Sequence, residues 1–321
     1  MSAAPAGRVT VVGSLNLDHV VGVERLPTEG ATVAASAYST GAGGKGLNQA
    51  VAAARQGAAV AMVGAVGDDD AGRGLLALLA GEGIDAGGVR VDDGRPTGLA
   101  LITVAEGGAN TIVVVAGANA GVTEAAAAVT GSGSTQSGAV ATEPAGAGLA
   151  GRPRDVVLTQ LEIPLAAVRA ALRAARDADA LGILNPAPAA GPLPADVLAL
   201  ASIVVPNETE ARALTGEADP EAAAVALVAA GCPAAIVTVG EAGAVVAQPG
   251  RVFRVPAFPV TPVDTTAAGD AFCGTLAAAL AGGALLADAV RRACAAGSLA
   301  AAAPGAVASL PGAAAVAALT G

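Results

Sequence analysis

Aromatic and histidine side chains are nearly missing from this chain, which has no Trp, one Tyr, three Phe and one His in 321 residues. Its core must therefore be built from Val, Leu, Ile and Ala, and the scarcity of stacking platforms argues against holding single-stranded nucleic acid. Lysine is rarer still, because 16 of the 17 basic residues are Arg and Lys45 stands alone. A formal net charge of −10 and a pI near 4.5 argue against a nucleic-acid backbone or an anionic membrane as the main partner. Any phosphate must be bound locally. Cysteine is scarce and odd in number: Cys232, Cys273 and Cys294 show no metal-ligand spacing. They read as small buried residues of a reducing compartment. Residues 1–7 lack a basic stretch followed by an apolar one, and the later apolar runs are rich in Ala and Gly and interrupted. Neither a signal peptide nor a membrane span is expected, and the expected location is the cytoplasm.

What is present is apolar bulk, 54% of residues with a mean hydropathy of +0.62, enough for one large α/β domain or two ordinary ones. The run Arg8-Val9-Thr10-Val11-Val12-Gly13-Ser14 reads as a buried strand that delivers Leu15-Asn16-Leu17-Asp18 to a loop. Segments 20–24 and 31–39 have weak strand character and read as an edge or flap. Further strands are expected at 59–66, 155–162, 181–185, 202–206 and 234–239, a hairpin-like pair at 97–104 and 110–116, and helices at 70–81 and 164–178. The acidic cluster around Asp68 opens a helix and reads as its cap. Residues 131–153 are small, polar or rich in Pro and Gly, as expected of a flexible surface insertion. Strands and helices alternate from end to end, which implies one α/β layer structure with a mostly parallel sheet. Asn, Asp, Glu or Gly clusters follow six of the strands, and in a parallel sheet ligands collect at that end.

The chain is organised around Asp264-Thr265-Thr266-Ala267-Ala268-Gly269-Asp270, which runs into an Ala/Leu-rich helix. Its small residues leave backbone N–H groups uncovered at a helix N-terminus, a setting for an anion. Asp270 beside them cannot itself be that anion, so it is expected to accept a proton from a second reactant. Phosphoryl transfer to a hydroxyl fits both features; plain capping by Asp264 or Asp270 is the alternative. A second Gly-rich element, Gly41-Ala42-Gly43-Gly44-Lys45-Gly46-Leu47-Asn48-Gln49-Ala50, lacks Walker spacing. Its glycines permit close approach to a ligand, and Asn48 can donate and accept toward a polyol.

These two elements, with Gly13-Ser14-Leu15-Asn16-Leu17-Asp18-His19, Asn185-Pro186-Ala187-Pro188-Ala189 and Pro206-Asn207-Glu208-Thr209-Glu210, resemble the ribokinase-like (PfkB) family of sugar kinases over nearly the whole chain. The resemblance implies a three-layer α/β sandwich with a small β-sheet lid, formed from about 18–39 and 97–116, which in the family also pairs with a second subunit. It implies ATP-dependent phosphorylation of D-ribose at its 5-hydroxyl; a nucleoside or another sugar such as fructose is the alternative substrate. Asp270 resembles the catalytic base, with Ala267, Ala268 and Gly269 supplying the anion hole. Asn16, Asp18, Gly44, Lys45, Gly46, Leu47, Asn48 and Glu162, with Asp270, resemble the sugar-binding set. Asn207, Thr238, Val239, Gly240, Glu241, Ala242 and Gly243 resemble the ATP-binding set, which Gly269 and Asp270 complete. Cys294 stands near the adenine, where many members have a His. Glu210 resembles the group that orients Mg²⁺, and Asp264, Thr266, Ala300, Ala303, Gly305 and Ser309 resemble a K⁺ site. A non-catalytic sensor on the same fold would have lost the base or the anion hole, and both are kept here.

Overall fold

The computed structural model describes residues 7–128, 153–189 and 191–321. All but the last residue of the expected insertion at 131–153 lies outside the described residues. The described strands are β1 Arg8–Val12, β2 Asn16–Val23, β3 Ala37–Gly43, β4 Ala59–Gly67, β5 Asp85–Asp92, β6 Gly98–Ala105, β7 Asn110–Val115, β8 Val156–Thr159, β9 Leu181–Leu184, β10 Ile203–Val204, β11 Ala234–Thr238, β12 Ala244–Gln248 and β13 Arg251–Val255. The helices are α1 Lys45–Arg55, α2 Asp70–Gly81, α3 Glu124–Ala127, α4 Leu165–Asp177, α5 Ala195–Leu200, α6 Glu208–Thr215, α7 Pro220–Ala229, α8 Ala268–Ala281, α9 Leu286–Ala301 and α10 Ala313–Thr320.

Nine strands form the central sheet in the order β13-β12-β11-β10-β9-β8-β1-β4-β5. From β11 to β5 every neighbouring pair is parallel; β12 and β13 are antiparallel additions at one edge. Both faces are covered, and the period-2 alternation of each strand sorts its side chains between them. Val9 and Val11, Val156 and Leu158, Leu181 and Ile183, and Ala234 and Ile236 pack under α1, α2, α8, α9 and α10. Val12, Val157, Leu184, Ala235 and Val237 pack under α3, α4, α5, α6 and α7. The result is three layers, with helices on both sides of a buried sheet.

Local chemistry sets several helix starts. Asp69 accepts from Gly72 N–H at 2.8 Å and caps α2, as the acidic cluster implied. Its other contacts, from Thr97 Oγ1 at 2.6 Å and Thr97 N–H at 2.8 Å, tie that helix to the start of β6. Asn207 and Glu210 form a reciprocal capping box on α6.

The second sheet has four strands in the order β3-β2-β6-β7. Two expectations are corrected here. Asn16 and Asp18 are not in a loop, because both already lie on β2, hydrogen-bonded between β3 and β6. Residues 31–36 form no strand; β3 begins only at Ala37, where the chain first pairs with Gly22. β2 is thus an interior strand of this sheet and β3 its edge. The strand expected at 202–206 is only the two residues of β10, since Pro206 has no N–H to continue the ladder.

Candidate active site

The C-terminal ends of β1, β8, β9, β10 and β11 carry Ser14, Glu162, Asn185, Asn207 and Gly240, and α8 brings Asp270 to the same side of the sheet. α8 can sit this deep because its residues are small. At Gly274, a Cβ would stand 2.5 Å from Ala52 Cβ and from the Gln49 carbonyl, so α1 and α8 touch nearly backbone to backbone. That approach lets α1 reach the first turn of α8. Asn48 Nδ2 donates to Asp270 Oδ2 at 3.0 Å, and Gln49 Nε2 donates to Asp270 Oδ1 at 2.8 Å.

Asp270 is buried, and burial raises its pKa; Lys45 and the amides of Asn48 and Gln49 oppose that rise, and Glu162 adds to it. Lys45 is itself held above its ordinary value. Burial lowers it, but Asp270, Glu162 and Glu210 together outweigh burial. Burial, then Glu162 and Asp270, push Asp18 up to about 7. Glu162 Oε2 accepts from Ser14 Oγ at 2.6 Å and from Lys45 N–H at 3.0 Å. Asn16 is 2% exposed, and its Oδ1 accepts from Asn119 Nδ2 at 2.7 Å. Asn119 also closes a pair of bonds with the Leu15 backbone, at 3.0 and 3.1 Å. Gly44 precedes α1 at φ 88°, a left-handed conformation that a side chain would strain. Asn48 Oδ1 is buried and has no hydrogen-bond partner among the described residues. A buried acceptor without a donor is costly, so this oxygen is set for a hydroxyl from outside.

The N-terminus of α8 carries no side-chain cap. Capping by Asp264 or Asp270 is therefore not what these carboxylates do. Asp264 bonds Thr266 N–H and Gly305 N–H, each at 2.9 Å, and joins the loop before α8 to the loop after α9. Burial opposes ionisation of Asp264, but these bonds hold its pKa below the ordinary carboxylate value. Ala267 sits at φ 60°, one of two non-Gly residues with positive φ among the described residues. Such strain of about 1 kcal/mol or more persists where a site requires it. One expectation needs correction: Ala268 N–H is not free, since it donates to the Thr265 carbonyl at 3.2 Å. The N–H groups of Ala267, Gly269 and Asp270 have no protein acceptor among the described residues, and free donors at a helix start are a setting for an anion.

The remaining expected residues divide. Leu47 is fully buried in the core, and only its N–H, bonded to the Ser14 carbonyl at 2.9 Å, serves the loop. Gly46 N–H is 3.3 Å from Ser14 Oγ. Thr238 follows Asn207 across an isolated parallel bridge, and Val239 N–H closes the Gly240-Glu241-Ala242-Gly243 turn onto the Gly243 carbonyl at 2.8 Å. Cys294 is buried with its thiol pushed up to about 12 by burial, 3.9 Å from the Val255 carbonyl. Glu210 Oε2 accepts from Asn207 N–H at 2.9 Å, and its pKa is raised by burial. Among the described residues no three His, Cys, Asp or Glu cluster as a metal cage. The Ala300 carbonyl accepts from Ala303 N–H at 3.1 Å, and Ser309 Oγ donates to the Ala306 carbonyl at 2.9 Å.

A cavity of about 1030 Å³ opens between the second sheet and the loops at 262–266 and 304–308, lined by Asp18, Ile102, Asp264, Thr265 and Gly305 among others. A smaller one, about 520 Å³, lies between the far ends of α1 and α8 and α10, away from Asp270. Ser14, Gln49 and Asn185 lie in the runs that carry the family resemblance but have no role assigned by it, and Asn119 and Gln160 stand outside every motif. All five act on other protein groups rather than facing the cleft. Gln49 carries one more signal, as half of an amide pair, Asn48-Gln49, inside an Ala-rich helix.

The chain is similar to known proteins over almost its whole length. The model of the pfkB family carbohydrate kinases matches residues 6–313. The ribokinase of Bacillus subtilis is 40% identical over 282 residues, 86% of each chain. The deoxyribokinase of Salmonella typhi is 35% identical over 274 residues, 84% of each. The structure of Arabidopsis thaliana ribokinase complexed with ribose and ATP superposes with a TM-score of 0.83 at 30% identity, covering 98% of this chain and 99% of that one. A carboxylate clamped at an uncapped helix start, in a doubly covered parallel sheet, thus occurs in a chain that matches the family end to end: it belongs to the pfkB family of carbohydrate kinases.

Proposed function

We propose that the protein phosphorylates D-ribose on its 5-hydroxyl with ATP, and that the whole chain acts as one kinase domain with the β3-β2-β6-β7 sheet as its lid. The observation that carries the reading is the pair made by Asn48 and Asp270: a carboxylate bonded by an amide whose other end, Oδ1, is a buried acceptor without a donor. A sugar hydroxyl donates to such an acceptor, and the neighbouring hydroxyl donates to Asp270. Asp18, Glu162 and Asn16 supply further acceptors within the same wall.

In the reaction the 5-hydroxyl oxygen bonds to the γ-phosphorus, the bond from that phosphorus to the β–γ bridging oxygen breaks, and ADP leaves. The hydroxyl proton passes to Asp270. Since the transition state is loose, alignment and charge stabilisation contribute more than early proton removal. The N–H groups of Ala267, Gly269 and Asp270 stabilise charge on the transferring group, and Lys45 opposes the rise that burial imposes on the Asp270 carboxyl. The 238–243 turn with Asn207 takes the nucleotide, and Cys294 lies beside the adenine. Glu210 would hold Mg²⁺, which when bound neutralises phosphate charge. Asp264, with carbonyls from 300–305, Thr266 and Ser309, would hold K⁺, which when bound fixes the loop before α8.

The Salmonella typhi relative favours a second reading, 2-deoxyribose as the substrate. The two are separated by ADP release across a sugar panel, with and without Mg²⁺. D-Ribose is expected to exceed 2-deoxyribose and fructose in kcat/KM by roughly 5–150-fold, the effect of one buried group left unpaired at about 1–3 kcal/mol. A higher kcat/KM for 2-deoxyribose, a nucleoside or a hexose overturns the ribose reading.

A further inference from the structure

Asp270 is held from behind by a row of buried amides, each of which fixes the orientation of the next. The row begins at the Val205 carbonyl, which can only accept, and so takes Asn185 Nδ2 at 2.8 Å. Asn185 Oδ1 is thereby turned toward α1, where it accepts from Gln49 Nε2 at 3.1 Å. The other N–H of that nitrogen reaches Asp270 Oδ1, and Gln49 Oε1 is left facing Gln160 Nε2 at 2.5 Å. Gln49 and Gln160 are 0% exposed. Flipping the Gln49 amide would set oxygen against Asp270 Oδ1 and Asn185 Oδ1, and nitrogen against nitrogen at Gln160, so only one orientation is compatible with the row.

We propose, building on the phosphoryl-transfer reading above, that Gln49 is a positioning residue: locked by Gln160 and Asn185, it clamps Asp270 Oδ1 so that the carboxylate presents Oδ2 to the sugar hydroxyl. Gln49 itself meets no substrate. The charged and titratable groups around Asp270 are Lys45 on α1, Glu162 after β8, Glu210 on α6, Asp18 on β2 and Cys273 on α8. In that company the carboxylate is buried among more acids than bases; Lys45 opposes the resulting rise of its pKa most, and the two amide donors add to that and also aim the carboxylate. Losing one leaves an orphaned carboxylate oxygen free to rotate or to take up a proton.

Gln49→Met tests this, because it keeps the length of the side chain and removes both donors. kcat at neutral pH is expected to fall roughly 10–100-fold while the KM for ribose changes less than about threefold. The acid limb of the kcat profile is expected to move to higher pH, so that the deficit shrinks toward pH 9. Gln49→Glu, which sets an acceptor against Asp270, is expected to move the limb the same way and further. Should Gln49→Met fold poorly by thermal melting, Gln160→Met removes the group that orients Gln49 without touching Asp270, and a smaller shift of the same sign is expected. Asp270→Asn, run alongside, separates the two ideas: its kcat is expected to fall roughly 10²–10⁴-fold. Normal turnover there overturns the base assignment. If Asp270→Asn collapses while Gln49→Met leaves the rate unchanged, or lowers it equally at every pH, the positioning role is overturned.

Discussion

Among single residues, Asp18 carries the clearest electrostatic consequence. It stands on β2 facing Glu162 and Asp270, and burial with these two charges pushes its pKa from 3.8 up to about 7. The folded protein then holds this proton more tightly than the unfolded chain does. The stability Asp18 contributes is full below about pH 3.8 and is lost as the pH rises through about 7. Asp18→Asn cannot ionise, so without ligands the variant should melt above the parent at pH 8 and approach it only as the pH falls to about 3.8, where the unfolded carboxyl also keeps its proton. The gap should be roughly 1–2 kcal/mol once partial solvent screening is allowed for. An equal gap at both pH values would sink the argument. Asn48 and Asp270 could be singled out from the residues themselves, because each opens a helix beside glycine, whereas Asp18, Lys45 and Glu162 received a role only through the family resemblance. The amides behind them could not be singled out, because a buried Gln or Asn bonded to protein looks the same in sequence as one that meets a ligand.

At the scale of elements, the start of α8 decides how the site is built. Helix α8 and its apolar packing could be read from its Ala/Leu composition, and the uncovered N–H groups from its small first turn. The left-handed turn at Ala267 and the engagement of Ala268 N–H by Thr265 could not, since nothing in an Ala-Ala pair encodes which residue bends. Asp264 holds that bend by bonding Thr266 and Gly305 at once. If a monovalent cation binds beside it, the loop is fixed further, and the three free N–H groups aim better at the phosphoryl group. Turnover at constant ionic strength should therefore fall severalfold when K⁺ is exchanged for a bulky organic cation. Asp264→Asn retains an acceptor but not the charge, and should flatten the response to K⁺. A rate indifferent to the exchange would remove the cation from this loop.

For the whole molecule, the alternation of strands and helices was enough to give the layers, because βαβ connections leave few ways to cover both faces of a parallel sheet. The second sheet was harder to read, since its strands bury little. β7 is exposed along its full length. Its register with β6 puts Ile102 and Ile112 on the face over the cleft, and Leu101, Val113 and Val115 on the other. Leu101, Val113 and Val115 are 49%, 60% and 43% exposed, and Tyr38 on β3 is 64% exposed. An apolar outer face beside an open β7 edge is an aggregation hazard unless something covers it, and the lid pairing implied by the family resemblance would supply a second copy of this sheet. We expect a dimer held through that face. Val113→Lys with Leu101→Lys would place two charges on the contact and leave the cleft face untouched. Light scattering after size exclusion should then give a monomer where the parent gives a dimer. The cleft would lose the rigidity of its lid, so KM for ribose should rise more than kcat falls. A parent that is monomeric at micromolar concentration, or a double variant that stays dimeric, would place the subunit contact elsewhere.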